Sequence, residues 1–347
     1  MHNGVYDNWS WSAGQFHYAS DGFRENNDQD RDIYNLFVQG ALSHKTSIQA
    51  DLSHSEEEYG DLPLRFDPDD FLAADKTTED ADGARIGLRH RLSTSSDILA
   101  SVVYEDRDGS HDLTVPFSLP PPFGAFTSTL DEKNSGDGTT TELQHLYRGS
   151  RYSLISGLGY FDSDRESDGT TVMSTPLLPG GTTRTDWNTT HSNAYLYSLL
   201  QATPELTLTL GASYDDYDDD SRTIFEVTGI PLPPTVTDTS TERSKFNPKF
   251  GLSWEATPAT TLRMAAFRAM KRDLISNQTL EPTQVAGFNQ FYDDENATVS
   301  DNYGIAVDQV FSGNLTGGIE FHRRNLEVPL EAFAATAGFS EADWDED

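Results

Sequence analysis

Residues 206–214 read Leu-Thr-Leu-Thr-Leu-Gly-Ala-Ser-Tyr, and apolar and small polar residues take turns along this stretch. Successive side chains of a β-strand point to opposite faces, so the stretch has one apolar face and one polar face. A helix would mix the two sets on a single stripe. The same alternation recurs at 84–92, 246–255 and 315–324. The pattern therefore predicts an all-β protein.

The connections between such segments carry as much information as the segments. About thirteen segments alternate in this way, each close to the length with which a tilted strand crosses a bilayer. They are predicted at 9–19, 33–43, 46–54, 84–92, 97–105, 140–148, 151–162, 189–201, 205–214, 246–255, 261–269, 302–311 and 315–324. Every second connection is a tight turn, whereas the alternate ones are long, at 20–32, 55–82, 106–138, 163–187, 215–245 and 270–301. Short turns on one side and long loops on the other predict an antiparallel up-and-down transmembrane β-barrel.

Composition excludes several classes of function. The 347 residues include 57 acidic and 24 basic ones, for a formal net charge of -33, whereas binding of nucleic acid needs a basic face. Cysteine is absent, so disulfides, thiol catalysis and zinc–thiolate sites are excluded. No run of residues approaches the roughly 20 apolar positions of a membrane helix.

The strand count predicts that the barrel is incomplete. Single-chain bacterial barrels have an even number of strands, whereas about thirteen are predicted here. The start at Met1-His2-Asn3-Gly4 has no signal peptide, which an exported protein requires. We therefore expect residues 1–347 to be a partial outer-membrane barrel domain cut from a longer protein. Its strands are expected over about 9–324, with 325–347 as the start of an outer loop or a truncated tail.

One hairpin resembles the barrel of TonB-dependent receptors. The resembling positions are 247–254 (Asn-Pro-Lys-Phe-Gly-Leu-Ser-Trp), Pro258, 261–263 (Thr-Leu-Arg), 267–268 (Phe-Arg), 280–282 (Leu-Glu-Pro) and 303–304 (Tyr-Gly). The resemblance implies ligand-gated uptake across the outer membrane of a Gram-negative bacterium, powered through TonB. The plug domain with its TonB box and the C-terminal strand that ends in an aromatic residue are not found in these residues.

The candidate ligand-binding residues are four strand arginines, Arg85, Arg89, Arg91 and Arg263. On the polar faces of their strands they would line the lumen and favour anionic ligands. Alternatively, they bond to inward carboxylates and serve the structure. No metal site or cofactor is predicted: 106–112 places its glycine at the fourth position of a calcium loop instead of the sixth, and 215–220 is interpreted as a solvated acidic loop.

The predicted function is a receptor or transporter barrel for ligand uptake without chemistry of its own. No metalloprotease motif and no nucleophile elbow is present. A passive or polysaccharide-export porin is the first alternative, and a soluble secreted β-sheet binding module is the second. The expected partners are outer-membrane lipid, lipopolysaccharide and a small-molecule or oligomeric ligand. TonB joins them only if a plug precedes the chain.

Overall fold

The computed structural model describes residues 1–64, 71–121, 124–175, 177–272, 274, 278–330 and 340–346. Within these ranges the regular structure is β-strand throughout, which confirms the predicted all-β class. None of the described residues lies in a helix long and apolar enough to cross a membrane.

Fifteen strands of the described chain form one antiparallel sheet in which sheet order follows chain order. They are β1 His2–Tyr6, β2 Trp9–Ser20, β3 Gln29–Ala41, β4 Thr46–Tyr59, β5 Asp75–Ser93, β6 Ser96–Leu119, β7 Gly124–Arg148, β8 Tyr152–Met173, β9 Gly181–Thr203, β10 Leu206–Val227, β11 Thr235–Thr257, β12 Thr260–Met270, β15 Val299–Ser312, β16 Leu315–Leu330 and β17 Ser340–Glu346. A separate two-stranded hairpin consists of β13 Gln284–Val285 and β14 Phe288–Asn289.

The sheet has the predicted up-and-down topology. Each strand pairs with the next along the chain, except that β12 pairs with β15 across the small hairpin. In the described part of the chain, β1 and β17 are the two edges and do not pair with each other, so the barrel is open. All thirteen predicted segments are strands, and the predicted tight turns join them. The count of thirteen is low by two because β1 and β17 also belong to the sheet.

Three of the long connections are shorter than predicted. The stretches 106–138, 163–187 and 215–245 are mostly strand, because β6 to β11 continue as paired hairpins far past the predicted spans. Their threonines and alternating polar residues suit strands in water, and an antiparallel partner satisfies each backbone group. The interpretation of 215–220 as a solvated loop was therefore wrong, since these residues lie in β10.

The other connections agree better with the prediction. Residues 21–28 and 60–74 join neighbouring strands, although 65–70 lie outside the described ranges. The longest connection between neighbouring strands of the large sheet is 271–298, between β12 and β15, and residues 273 and 275–277 of it lie outside the described ranges. In the expected tail, β16 continues to Leu330 and β17 pairs with it, while 331–339 and 347 lie outside the described residues.

The two faces of the sheet differ in polarity. On β9, Asn193 and Tyr195 are buried on one face, whereas Leu196 between Tyr195 and Tyr197 is 52% exposed on the other. We call the face against which residues 278–298 lie the inner face, and the opposite one the outer face. The outer face carries exposed aliphatic residues and a band of tyrosines: Tyr34, Tyr104, Tyr160 and Tyr214. Such a band of apolar residues bordered by aromatics is the surface that a bilayer requires.

Candidate functional site

The segment between β12 and β15 folds back onto the inner face of the sheet. We call residues 278–292 the strap. They contact strands from β5 to β16, and their two-stranded hairpin lies over β11, β12 and β15. These contacts lie at the level of the outer apolar band, since Leu143 and Leu196 alternate with the inner residues that the strap touches. The strap therefore lies on the part of the inner face that is directly behind the outer apolar band.

A buried ion pair holds the beginning of the strap. Arg272 and Glu281 form a salt bridge with a nitrogen–oxygen distance of 3.1 Å, and their side chains are only 4% and 2% exposed. Glu281 also accepts hydrogen bonds from the Asn193 amide at 2.9 Å and the Tyr197 hydroxyl at 2.6 Å. An arginine side chain keeps its proton in proteins, so Arg272 carries its charge in this site.

A second carboxylate binds the backbone of the strap. Glu142 on β7 accepts a hydrogen bond from the Leu280 amide at 2.8 Å and another from the Thr279 hydroxyl at 2.5 Å. Gln144, two residues on, donates to the carbonyl oxygen of Leu280. Both residues are 5% exposed. The two hydrogen bonds of Glu142 both go to the strap, whereas Gln144 also donates to the Tyr195 hydroxyl of β9 at 3.1 Å. The strap and the polar inner face thus satisfy each other.

The hairpin of the strap packs by apolar contact. Val285 and Phe288 are 0% and 1% exposed and form one cluster with Ala265, Phe267 and Ala306 of the sheet. Ala286 and Gly287 join the two short strands with positive φ angles of 49° and 87°, as a type I′ turn requires. Complete burial of Phe288 contributes about 1.5–3 kcal/mol.

A glycine of the sheet makes room for this hairpin. A Cβ atom on Gly304 would collide with the ring of Phe288. The Tyr-Gly pair at 303–304 therefore has a packing role: Tyr303 is half exposed on the outer face, and Gly304 lets the strap approach the inner face.

Two of the four predicted arginines, Arg85 and Arg89, line one cavity of about 340 Å³ beside the strap, whereas Arg91 and Arg263 do not. Arg85 donates to Asp51 at 2.7 Å and also to Gln278 of the strap. Arg263 binds Asp308 at 2.6 Å and lies over the ring of Phe288. Arg89 and Arg91 instead approach Asp97 at the short turn after β5, at 3.3 and 3.9 Å. Each arginine has a carboxylate partner, which supports the interpretation as structural bonds.

A cavity lies further along the inner face, where β5 to β9 extend beyond the apolar band. Its volume is about 650 Å³, and we call it the mouth pocket. Its lining includes Phe161, Trp187 and two arginines, Arg107 and Arg165, together with five carboxylates: Glu79, Glu105, Asp108, Asp137 and Glu166. Arg107 pairs with Glu105 at 2.9 Å. Arg165 and Trp187 are cross-strand neighbours, and the guanidinium carbon lies 5.9 Å from the indole ring centroid. Among the described residues, Arg165 has no carboxylate within 4.0 Å, so its charge is available to a ligand.

Sequence reasoning missed the mouth pocket and the strap for different reasons. The alternation continues through Glu105, Arg107 and His111, so the inward position of Arg107 could have been found by extending the strand past 105. Nothing in the local sequence shows that Glu281 reaches Asn193, because these residues are 88 positions apart. Metal-ligating side chains group elsewhere: in the described ranges, His17, Asp30 and Asp32 come together on the outer face.

Comparisons with known proteins agree with this architecture. A family model described as TonB dependent receptor-like, beta-barrel, matches residues 5–326. The structure of the ferric yersiniabactin uptake receptor FyuA from Yersinia pestis has a TM-score of 0.72 at 11% identity, over 99% of this chain and 53% of that one. The closed form of the ferric-catecholate import receptor Fiu from E. coli K12 has a TM-score of 0.71 at 13% identity, over 98% and 57%. The siderophore receptor PiuA from Acinetobacter baumannii has a TM-score of 0.61 at 11% identity, over 95% and 59%.

These likenesses establish the fold of the chain. At such identities they carry no information on its ligand. The chain spans between 53% and 59% of the length of the three solved structures. A search of curated proteins found no match.

Proposed function

Because the chain belongs to the TonB-dependent receptor-like β-barrel family, we propose that it forms part of the wall of an outer-membrane receptor that takes up a ligand. The mouth pocket carries this proposal. It lies beyond the apolar band on the inner face, where a ligand arriving from outside meets the barrel first. Of the two guanidinium groups in its lining, Arg107 is paired with Glu105, whereas Arg165 lies beside the Trp187 ring. The Arg165–Trp187 pair fits the flat or aromatic part of a ligand and an anionic group next to it.

The route of the ligand then meets the strap. The strap covers the inner faces of β7, β9, β11 and β12 at the depth of the membrane. Passage along this side of the lumen therefore requires the strap to move or the ligand to pass beside it. In this proposal TonB, acting through a plug domain, supplies the energy for that movement. The barrel binds and guides the ligand and performs no catalysis.

The surrounding membrane is the other proposed partner. Exposed aliphatic side chains such as Ile86 (64% exposed) and Leu158 (58% exposed) cover the outer face between the turns and the tyrosine band. Exposure of this apolar surface to water is unfavourable, whereas lipid and the acyl chains of lipopolysaccharide would cover it. This supports localisation in the outer membrane of a Gram-negative bacterium and argues against a soluble binding module.

An uptake assay tests the proposal. A strain lacking the gene is complemented with the wild type or with Arg165→Ala/Trp187→Ala, and uptake of radiolabelled ferric catecholate and ferric hydroxamate complexes is measured. We expect the wild type to restore uptake of one class and the double variant to lower it at least about tenfold. Arg222→Ala is the matched control, since this arginine lies on the outer face beside Asp238. Equal uptake by the double variant and the wild type would remove the mouth pocket from the proposal.

The second candidate function is a porin, passive or for polysaccharide export. The observation in its favour is that barrel residues alone anchor the strap, as they would anchor a constriction within an open channel. Transport by a receptor stops in cells without TonB, whereas transport by a porin continues. The same strains therefore distinguish the two functions.

A further inference from the structure

We infer that His17, Asp30 and Asp32 form a binding site for a divalent transition-metal ion on the outer face of the β2–β3 hairpin. The Nδ1 atom of His17 lies 3.2 Å from Oδ2 of Asp32 and 3.9 Å from Oδ1 of Asp30. One ligand atom from each of the three residues lies within 4.8 Å of the others. Metal–ligand bonds of about 2.0–2.2 Å place neighbouring ligand atoms about 3–3.5 Å apart. Small side-chain rotations are therefore enough to enclose an ion.

The backbone positions of the three ligands are fixed by the sheet. His17 is the direct cross-strand partner of Asp32, and Ala19 is the partner of Asp30. The three side chains therefore share one face, two on one strand and one on the next. Ligands on paired strands are held more precisely than ligands on loops. No spacing motif in the sequence marks this group, because the ligands come from two strands.

The donor set determines the class of ion. One imidazole nitrogen and two carboxylates suit Zn²⁺ and similar transition metals better than Mg²⁺ or Ca²⁺, which prefer oxygen alone. Two carboxylates also balance the double positive charge. In the described part of the chain, no lysine or arginine lies within 4.0 Å of Asp30 or Asp32.

The neighbouring strand adds a reason for a cation. Glu56 is the cross-strand partner of Asp32, and Glu58 is the partner of Asp30. Like charges directly opposite each other destabilise a sheet, and a bound cation offsets their electrostatic repulsion. Glu58 is already neutralised by Lys76 at 2.7 Å, whereas no lysine or arginine of the described residues pairs with Asp30 or Asp32.

A second histidine on the same face is the matched control. His54 directs Nδ1 to Asp82 at 2.9 Å and Nε2 to Glu56 at 3.1 Å. Its carboxylates lie on opposite sides of the ring, so one ion cannot bind one ring nitrogen and both of these acids. His17 instead has both carboxylates near the same nitrogen. The arrangement around His17 can therefore chelate one ion, whereas the arrangement around His54 cannot.

Zinc titration of the receptor tests the inference. The protein is purified in detergent, stripped with a chelator and titrated with zinc chloride by calorimetry. We expect one ion per chain, with His17→Gln and Asp32→Asn each weakening the affinity at least about tenfold and His54→Gln leaving it unchanged. No zinc binding by the wild type, or equal binding by His17→Gln, would overturn the inference.

A spectroscopic measurement separates loss of the site from loss of the fold. Cobalt bound through imidazole and carboxylates has visible absorption bands, which we expect in the wild type and in His54→Gln. Heat-modifiable migration on a gel shows that the Asp30→Asn and His17→Gln variants are still folded. If the cobalt absorption bands are absent from these folded variants, the metal is assigned to this site. Absorption bands that persist in both variants would contradict the assignment. Neither outcome bears on uptake, because His17 lies on the outer face, away from the mouth pocket and the strap.

Discussion

The strap and the outer rim of the sheet hold their charges in opposite ways. At the strap, Arg272 and Glu281 are almost completely buried, and the glutamate has two further hydrogen-bond partners. On the outer face, beyond the tyrosine band, Asp82, Asp106, Asp137 and Asp164 follow one another across four strands as direct cross-strand neighbours. The comparison shows that burial and pairing, and not the number of charges, determine what a charged residue does for this sheet. Removing a charge is therefore expected to destabilise the strap and to stabilise the rim.

The largest effect is expected from Glu281→Ala. The variant leaves the Arg272 guanidinium buried without its partner, which costs about 3–5 kcal/mol. The chain has no cysteine of its own, so Val285→Cys, fully buried in the strap, is a specific reporter of opening. We expect Glu281→Ala to raise the rate of thiol labelling at position 285 at least about a hundredfold. Arg272→Met/Glu281→Leu removes both charges and should label more slowly than the single variant. Unchanged labelling in Glu281→Ala would show that the ion pair does not hold the strap.

The next effect concerns packing. Gly304→Val places a side chain where the Phe288 ring lies and should weaken the docking of the strap by about 1–3 kcal/mol. The same cysteine reporter measures it, through faster labelling. Gly313→Ala is the control, because a Cβ atom at Gly313 meets no atom within 4 Å. Equal labelling in the two variants would mean that the hairpin does not depend on this close approach.

On the rim the sign should reverse. Asp106→Asn removes one charge from between Asp82 and Asp137, and each like-charge neighbour is worth roughly 0.2–1 kcal/mol. We therefore expect a higher thermal unfolding temperature than that of the wild type at low ionic strength. The gain should shrink in molar salt, where exposed charges are screened. A lower unfolding temperature would contradict the comparison.

The smallest effect is a pH dependence at Asp218. Burial, followed by repulsion from Asp220, Asp216 and Asp219, raises the pKa of Asp218 above its ordinary value. Folding therefore disfavours its ionised form, and the wild type loses stability as the pH rises through the folded pKa. Because the group is largely solvated, the cost is on the order of a few tenths of a kcal/mol. We expect Asp218→Asn to be more stable than the wild type at neutral pH and equal to it below the ordinary carboxyl range. A difference that grows on acidification would have the wrong sign.

Much of the fold follows from local sequence. The alternation in 206–214 assigns Leu210 to the outer face and Thr209 to the inner face, and the structure agrees. The tight turns follow because they interrupt the alternation for only a few residues. The extension of β10 past Tyr214 was missed because consecutive aspartates resemble a loop. Pairing with β9 and β11 makes them strand, with Asp215 buried inside and Asp216 exposed outside.

The candidate site was less predictable from sequence. Arg85 and Arg263 were expected on the inner face because of their parity along the strand, but their carboxylate partners lie 34 and 45 residues away. Likewise, Arg165 and Trp187 meet only because β8 and β9 pair in one register. A shift by one residue would turn either side chain to the other face.

Local alternation is enough to show that this chain is a succession of amphipathic strands with an apolar side, because the direction of a side chain on a strand depends only on its position along the strand. Packing and strand pairing place residues 278–292 on the inner face, neutralise Glu281 there and bring aspartates of separate strands side by side on the rim. These outcomes depend on strand register and on contacts between residues far apart in the chain, which local periodicity does not specify.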